Sequence, residues 1–188
     1  MLFSTVFLAF SSASLAFATP FESRATTAPP NYTVKVDSTT KFCLILPRDA
    51  KTTIGASESS KSKMKSFCSP AGRTSDLQGE LPSNFWKKVT YKTGTGKNGK
   101  KWKQLTGTLT GGWSHLNWKD GGGQYDSNGG AGSKGNPSGS VCSKDYPIYV
   151  ELVEPDVKRA CIRCCQDKAD CPTNKDTQGC PKVIPGTY

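Results

Sequence analysis

Histidine is almost absent from this chain of 188 residues, since His115 is the only one. A metal site built from several histidines is therefore excluded. A Ser-His-Asp triad is disfavoured, although a single histidine still suffices as a general base. The chain also lacks the Gly-Lys-Ser/Thr ending of a phosphate-binding loop. We predict neither a metal nor a cofactor.

Long apolar segments are missing after residue 18, so the sequence predicts no membrane span. Residues 2–18 are almost entirely apolar or small, and they end in Ala16-Phe17-Ala18, a pattern typical of a signal-peptidase site. We expect residues 1–18 to be a cleaved signal peptide and the product to be secreted and extracellular. The alternative is a signal anchor that stays uncut.

The remaining chain has the length of one domain. Residues 19–32 are rich in Thr, Ala and Pro and offer little apolar surface, which predicts a disordered leader. Residues 33–188 are predicted to form a single cysteine-rich β domain. The sequon Asn31-Tyr32-Thr33 makes Asn31 a candidate glycosylation site.

Cysteine is the most informative residue type, because the chain contains eight. In an oxidising compartment an even number predicts up to four disulfides. The adjacent Cys164 and Cys165 should have different partners, and Cys43 with Cys68 is a natural local pair. The alternative is zinc, since Cys161 and Cys164 have zinc-like spacing; secretion favours disulfides. The predicted disulfide cysteines are Cys43, Cys68, Cys142, Cys161, Cys164, Cys165, Cys171 and Cys180.

The apolar pattern predicts short strands separated by Gly and Pro turns. The predicted strands cover residues 32–36, 42–46, 85–91, 102–109, 148–153 and 159–165. A helix is predicted only at 58–67. These elements predict a mainly β fold, a small antiparallel sandwich or barrel stabilised by up to four disulfides, with a long Gly-rich loop.

That loop covers residues 120–140, where glycine is too frequent for a long regular element. One interpretation is that the glycines let a ligand approach the backbone. The other is a solvated surface loop held at Cys142.

Positive charge is concentrated as well as abundant, with a formal net charge of +10. Seven lysines and no carboxylate lie between residues 87 and 103, among tryptophan and tyrosine. Such a surface suits a polyanion such as an acidic polysaccharide, anionic lipid headgroups or extracellular nucleic acid. The alternatives are a solvated lysine-rich edge and tryptophans that belong to the core. The candidate ligand-binding residues are Trp86, Lys87, Lys88, Tyr91, Lys92, Lys97, Lys100, Lys101, Trp102 and Lys103.

Catalytic patterns are sparse. Carboxylate pairs that could hydrolyse glycosides are Asp120 with Asp126, and Glu151 with Glu154. The preferred hypothesis is a secreted, non-enzymatic, effector-like binding protein of the cell wall or host interface. The alternative is a secreted hydrolase of polysaccharide or nucleic acid that uses such a pair, with His115 as a further candidate.

The second half of the chain contains short motifs in a distinctive order: 121–126 (GGGQYD), 135–139 (GNPSG), 149–155 (YVELVEP), 160–165 (ACIRCC), 170–171 (DC) and 176–180 (DTQGC). These motifs resemble a family of small cysteine-rich secreted proteins of fungi. The resemblance covers residues 120–188 closely and 42–118 more loosely. It implies secretion and a compact cysteine-stabilised domain, and it carries over no catalytic or binding residue. The lysine-rich segment is not part of the shared pattern.

Overall fold

A computed structural model describes residues 28–129 and 131–188. The predicted signal peptide and residues 19–27 of the predicted leader lie outside the described residues. Pro30–Tyr32, at the end of that leader, forms a 3-10 turn, and Asn31 is partly exposed there. No helix among the described residues is long and apolar enough to cross a bilayer.

The smaller sheet has four strands in the order of the chain. Its pairing is antiparallel except between the last two strands, which are parallel over two residues. The strands are β1 (Lys35–Val36), β2 (Phe42–Pro47), β3 (Met64–Cys68) and β4 (Gly79–Glu80).

The larger sheet has five strands and is antiparallel throughout. The strands are β5 (Trp86–Thr95), β6 (Lys101–Leu109), β7 (Gly123–Asp126), β8 (Ile148–Glu154) and β9 (Arg159–Cys165). Their spatial order is β5-β6-β9-β8-β7. The two edges of this sheet are therefore β5, from the lysine-rich segment, and β7, from the Gly-rich segment.

Helices are short. Residues 28–129 and 131–188 contain two α-helices, α1 (Ile54–Ser57) and α2 (Cys180–Val183). Further 3-10 turns lie at Lys61–Lys63, Ala131–Ser133, Lys168–Asp170 and Asp176–Gln178.

The main core lies between the two sheets. Strands β2 and β8 each carry a run of buried side chains. Aliphatic residues of both sheets, such as Leu44 and Ile162, belong to this core and are 0% exposed. Burying an aliphatic side chain contributes about 1.5–3 kcal/mol. The mainly β fold with two sheets confirms the predicted class.

The other face of the five-stranded sheet is covered by the C-terminal segment. Val183 and Ile184 pack there against Val150 and Leu152 of β8. Two disulfides, Cys161–Cys180 and Cys165–Cys171, hold this segment on the sheet. Both faces of the central strands are thus buried, which explains the nearly continuous apolar runs of β8 and β9.

All eight cysteines are paired. Cys43–Cys68 joins directly opposite residues of β2 and β3, as predicted, and Cys142–Cys164 completes the set. Cys164 and Cys165 have different partners, which confirms that prediction too.

The helix predicted at 58–67 is wrong. Its second half is strand β3, in which Met64, Ser66 and Phe67 are buried. Pairing along the length of β2, sealed by the Cys43–Cys68 disulfide, outweighs the weak local helical preference.

Candidate functional site

The predicted lysine-rich surface lies on the hairpin of β5 and β6. Residues directly opposite each other in an antiparallel pair point to the same side of the sheet. Lys88 and Lys92 therefore lie on the side of the C-terminal segment, whereas Lys101 and Lys103 lie on the side of the main core. The lysines surround the hairpin instead of forming one flat strip.

Six of the seven lysines are exposed and form no ion pair among the described residues; they are Lys87, Lys88, Lys92, Lys97, Lys100 and Lys101. Lys103 differs, because its Nζ lies 3.0 Å from Asp37 Oδ1 and 4.9 Å from the ring centre of Tyr146. Only 13% of the Lys103 side chain is exposed. Lys103 is thus occupied within the protein.

The tryptophans do not form an exposed row. Trp86, Trp113 and Trp118 are partly buried against the main core, and Trp102 against the core beneath the C-terminal segment. The Trp102 ring centre lies 4.6 Å from the Arg163 guanidinium. The tryptophans therefore serve chiefly as packing groups, and the free surface of the hairpin is cationic.

His115 packs against two aromatic side chains and contacts a backbone carbonyl. Its ring lies 4.8 Å from that of Trp113 and 4.7 Å from that of Phe67, and its Nε2 is 2.8 Å from the carbonyl oxygen of Pro47. It does not line the cleft described next.

A polar cleft of about 540 Å³ lies at the opposite edge of the five-stranded sheet. Its floor comes from β7 and the end of β8, and its walls from the loop 173–179, the glycines before β7 and the residue after α1. Four carboxyl groups line it: Glu58, Asp126, Glu154 and Asp176. Within the described part of the chain, no lysine, arginine or histidine lines the cleft.

Glycines give these carboxyl groups their space. A Cβ atom on Gly123 would lie 2.8 Å from Glu58 Oε1. Gly179 has φ +72°, and a Cβ atom there would lie 2.8 Å from Glu154 Oε1. Such contacts are too short for carbon and oxygen, so both positions favour glycine for packing reasons, and the second also for its backbone conformation.

Two of the four carboxyl groups are held within the protein. Arg159 donates to both oxygens of Glu154, at 2.7 and 3.0 Å, and the Cys180 N–H donates at 3.1 Å. Asp126 accepts from the backbone N–H groups of Asn128 and Gly129. These two side chains anchor the C-terminal segment and the turn after β7.

Glu58 and Asp176 form no ion pair among the described residues. The pKa of Glu58 is raised to about 7, mainly because the carboxyl group is partly withdrawn from water. The nearby Asp176 and Asp126 add to this shift, while the Asn136 side chain and the Gln124 N–H oppose it. Burial likewise raises the pKa of Asp126. The charged forms of Glu58 and Asp126 are therefore disfavoured by their partial burial in the cleft.

The structure divides both carboxylate pairs considered from the sequence. Asp126 lines the cleft, but Asp120 is turned to the Ile54 N–H, which it accepts at 2.6 Å. Glu154 lines the cleft, but Glu151 is 0% exposed in the interior. Side chains three apart on a strand point to opposite faces, which explains the second separation.

Sequence reasoning missed Glu58 and Asp176. They belong to a turn after a short helix and to a 3-10 turn, and neither has a spacing that marks a site. The available signal was the glycine run 121–123, which lines the cleft.

Among the described residues, no three His, Cys, Asp or Glu side chains are grouped so as to hold a metal ion. No protein-family model matches the chain, and no curated protein or solved structure matches it.

Proposed function

We propose that this chain is a secreted, non-enzymatic protein that binds an extracellular polyanion, such as an acidic polysaccharide, through the β5–β6 hairpin. The proposal is carried by one observation: six exposed lysines of the hairpin have no carboxylate partner among the described residues. Four disulfides agree with an oxidising, extracellular compartment.

The shape of the hairpin supports this function. Lys87 and Lys88 line a shallow groove together with Lys158, and Thr108 also lines it. A β-bulge between Trp86 and Lys88 leaves Lys87 without a cross-strand partner. Three ammonium groups around one groove suit the repeated charges of a polymer better than a single small anion.

Electrostatic binding of this kind weakens as the salt concentration rises. When the protein binds, it releases counterions from the polymer, and this release is less favourable when the surrounding salt concentration is high. We expect the mature protein to be retained on immobilised heparin or pectate at low salt and to elute as salt increases. Flow-through at every salt concentration would contradict the proposal.

A charge-matched pair of variants locates the surface. The triple variant Lys87→Gln, Lys88→Gln, Lys92→Gln should bind about a hundredfold more weakly, at roughly 1 kcal/mol per lysine. The control Lys63→Gln, Lys119→Gln, Lys182→Gln removes the same charge from three exposed lysines outside the hairpin. Equal losses in both variants would mean that net charge, not the hairpin, causes retention.

The alternative function, hydrolysis by a carboxylate pair, has weaker support. Each pair considered from the sequence has one member in the cleft and one turned away from it. The non-enzymatic proposal is therefore preferred.

A further inference from the structure

The acidic cleft beside β7 contains hydrogen-bond acceptors that the protein itself leaves without a charged donor. Arg159, the cation nearest to Glu154, already donates to both oxygens of that carboxylate. Glu58 and Asp176 have no cationic partner among the described residues. A ligand that satisfies the cleft must therefore donate hydrogen bonds and carry positive charge.

Gln124 gives an independent indication of the same chemistry. Its side chain lines the cleft, and the residue is only 6% exposed. Its Nε2 donates to Asp126 Oδ2 at 3.0 Å and to the Thr173 carbonyl at 2.9 Å, and two acceptors fix the orientation of the amide. Its Oε1 is left buried without a donor. Buried polar atoms without a partner are rare in folded proteins.

The size of the cleft indicates an organic ligand. About 540 Å³ falls within the range of small-molecule sites. Asn136, Thr173 and Thr177 also line the cleft and add polar groups around the carboxylates. An ammonium group carried on a polar or aliphatic body of modest size fits this arrangement.

We propose that the cleft binds a primary ammonium group of a small organic amine, which donates to Glu58 and Asp176 beside Gln124, whose Oε1 lacks a donor within the protein. The site is separate from the lysine-rich hairpin, since the two lie at opposite edges of the five-stranded sheet. The protein would thus carry one surface for polyanions and one cleft for amines.

The test is calorimetric titration of the mature protein with 1,5-diaminopentane, using 1,5-pentanediol as the uncharged control of the same length. The diamine should bind and the diol should not. Glu58→Gln and Asp176→Asn should each weaken diamine binding about tenfold. The matched control Asp145→Asn, an exposed carboxylate outside the cleft, should leave the affinity unchanged. Thermal unfolding of each variant confirms that the fold is kept.

Two further ligands identify the source of the amine. Binding of a glucosamine trisaccharide, but not of its N-acetylated form, assigns the cleft to amino sugars. Binding of the diamine alone assigns it to aliphatic amines, and both results support the proposal. Equal binding of diamine and diol overturns the proposal. Binding of Ca²⁺ that depends on Glu58, together with no binding of either amine, also overturns it.

The pH dependence of the affinity for diaminopentane is a further test, because it would not change if Glu58 had only a structural role. Glu58 is faced by Asp126 from β7 and by Asp176 from the 3-10 turn, and Glu154, which is paired with Arg159, lines the same cleft. The pKa of Glu58 is about 7, so the affinity for diaminopentane should rise between pH 5.5 and 8 as this carboxyl ionises. Glu58→Gln should flatten that rise, and an unchanged pH profile in the variant would contradict the role given to Glu58.

Discussion

The two edges of the five-stranded sheet carry opposite charges for different structural reasons. At the β5 edge, six exposed lysines of the hairpin form no ion pair among the described residues. At the β7 edge, four carboxyl groups line one cleft that has no free cation among its lining residues. The formal net charge of +10 is a sum over the whole chain, so it does not reveal the acidic edge. A whole-chain charge therefore indicates one type of ligand, whereas the folded sheet separates two.

The origins of the two edges differ as well. The β5–β6 hairpin is local in sequence, and its charge can be read directly from consecutive residues. The cleft joins α1, β7, β8 and the loop before α2, so it depends on the disulfides that return the C-terminal segment to the sheet. Substitutions that release the C-terminal segment should therefore weaken binding at the cleft and leave binding at the hairpin unchanged.

The largest expected effect comes from removing the Cys161–Cys180 disulfide as Cys161→Ala, Cys180→Ala. The bridge closes a loop of 19 residues and should contribute about 3 kcal/mol to the free energy of unfolding. Urea unfolding measures this loss. Amine binding should be weakened together with stability, because Gly179 and Asp176 belong to the released segment.

Heparin retention of the folded fraction supplies the control for that variant. It should stay close to the parent, since none of the residues that line the cleft belongs to the hairpin. Loss of heparin binding and amine binding in parallel would show that the two edges are not independent.

The next largest effect on stability is expected from Glu151, which is buried in the interior between the two edges. Its Oε2 accepts the Ile45 N–H at 3.0 Å, and its Oε1 is buried without a partner. Burial raises the pKa of Glu151 well above its ordinary 4.5, so the folded state keeps a proton that the unfolded chain releases. This contribution to stability is complete below pH 4.5 and is lost as pH rises through the pKa of the folded state.

Glu151→Gln should therefore match the parent near pH 4 and exceed its free energy of unfolding at pH 8 by about 1–3 kcal/mol, the cost of a buried unpaired group. Urea unfolding at both pH values measures the difference. A variant that is less stable than the parent at pH 8 would show that the charged form of Glu151 is favoured.

A smaller effect is expected from Gly123→Ala at the acidic edge. The new Cβ would lie 2.8 Å from Glu58 Oε1 and 2.9 Å from Ile54 Cγ2, so the Glu58 carboxyl must move. We expect about 1 kcal/mol of destabilisation and weaker amine binding. Gly121→Ala is the matched control, because a Cβ there meets no atom within 4 Å. Equal effects of the two substitutions would contradict the packing argument.

The smallest effect compares two lysines on the same strand and face. Lys103→Gln removes the ion pair with Asp37 and should cost about 0.2–1 kcal/mol of stability with little change in heparin retention. Lys101→Gln should do the reverse, because Lys101 is exposed and unpaired among the described residues. Thermal unfolding and salt elution distinguish them, and identical behaviour would remove the distinction.

Much of the fold could be predicted, because strand signals and cysteine rules are local. The apolar runs of β2, β8 and β9 and the Cys43–Cys68 pair needed no tertiary information. Strand β7 could not be predicted, since four residues inside a Gly-rich segment pair only because β8 offers its free edge.

The sites divide in the same way. The hairpin lysines could be named from composition, although which lysine is paired depended on Asp37, remote in sequence. The acidic cleft could not be assembled, because Glu58 and Asp176 meet only after the C-terminal segment is fixed on the sheet. Long-range pairing of this kind leaves no periodic signal in the sequence.

The separation of the two edges is tested most directly by amide NMR titration of one labelled sample, first with a heparin oligosaccharide and then with 1,5-diaminopentane. The account predicts that heparin shifts the amides of residues 87–101 and that the diamine shifts those of 121–124 and 173–179. Shifts of the same amides by both ligands, or heparin shifts confined to residues outside the hairpin, would contradict it.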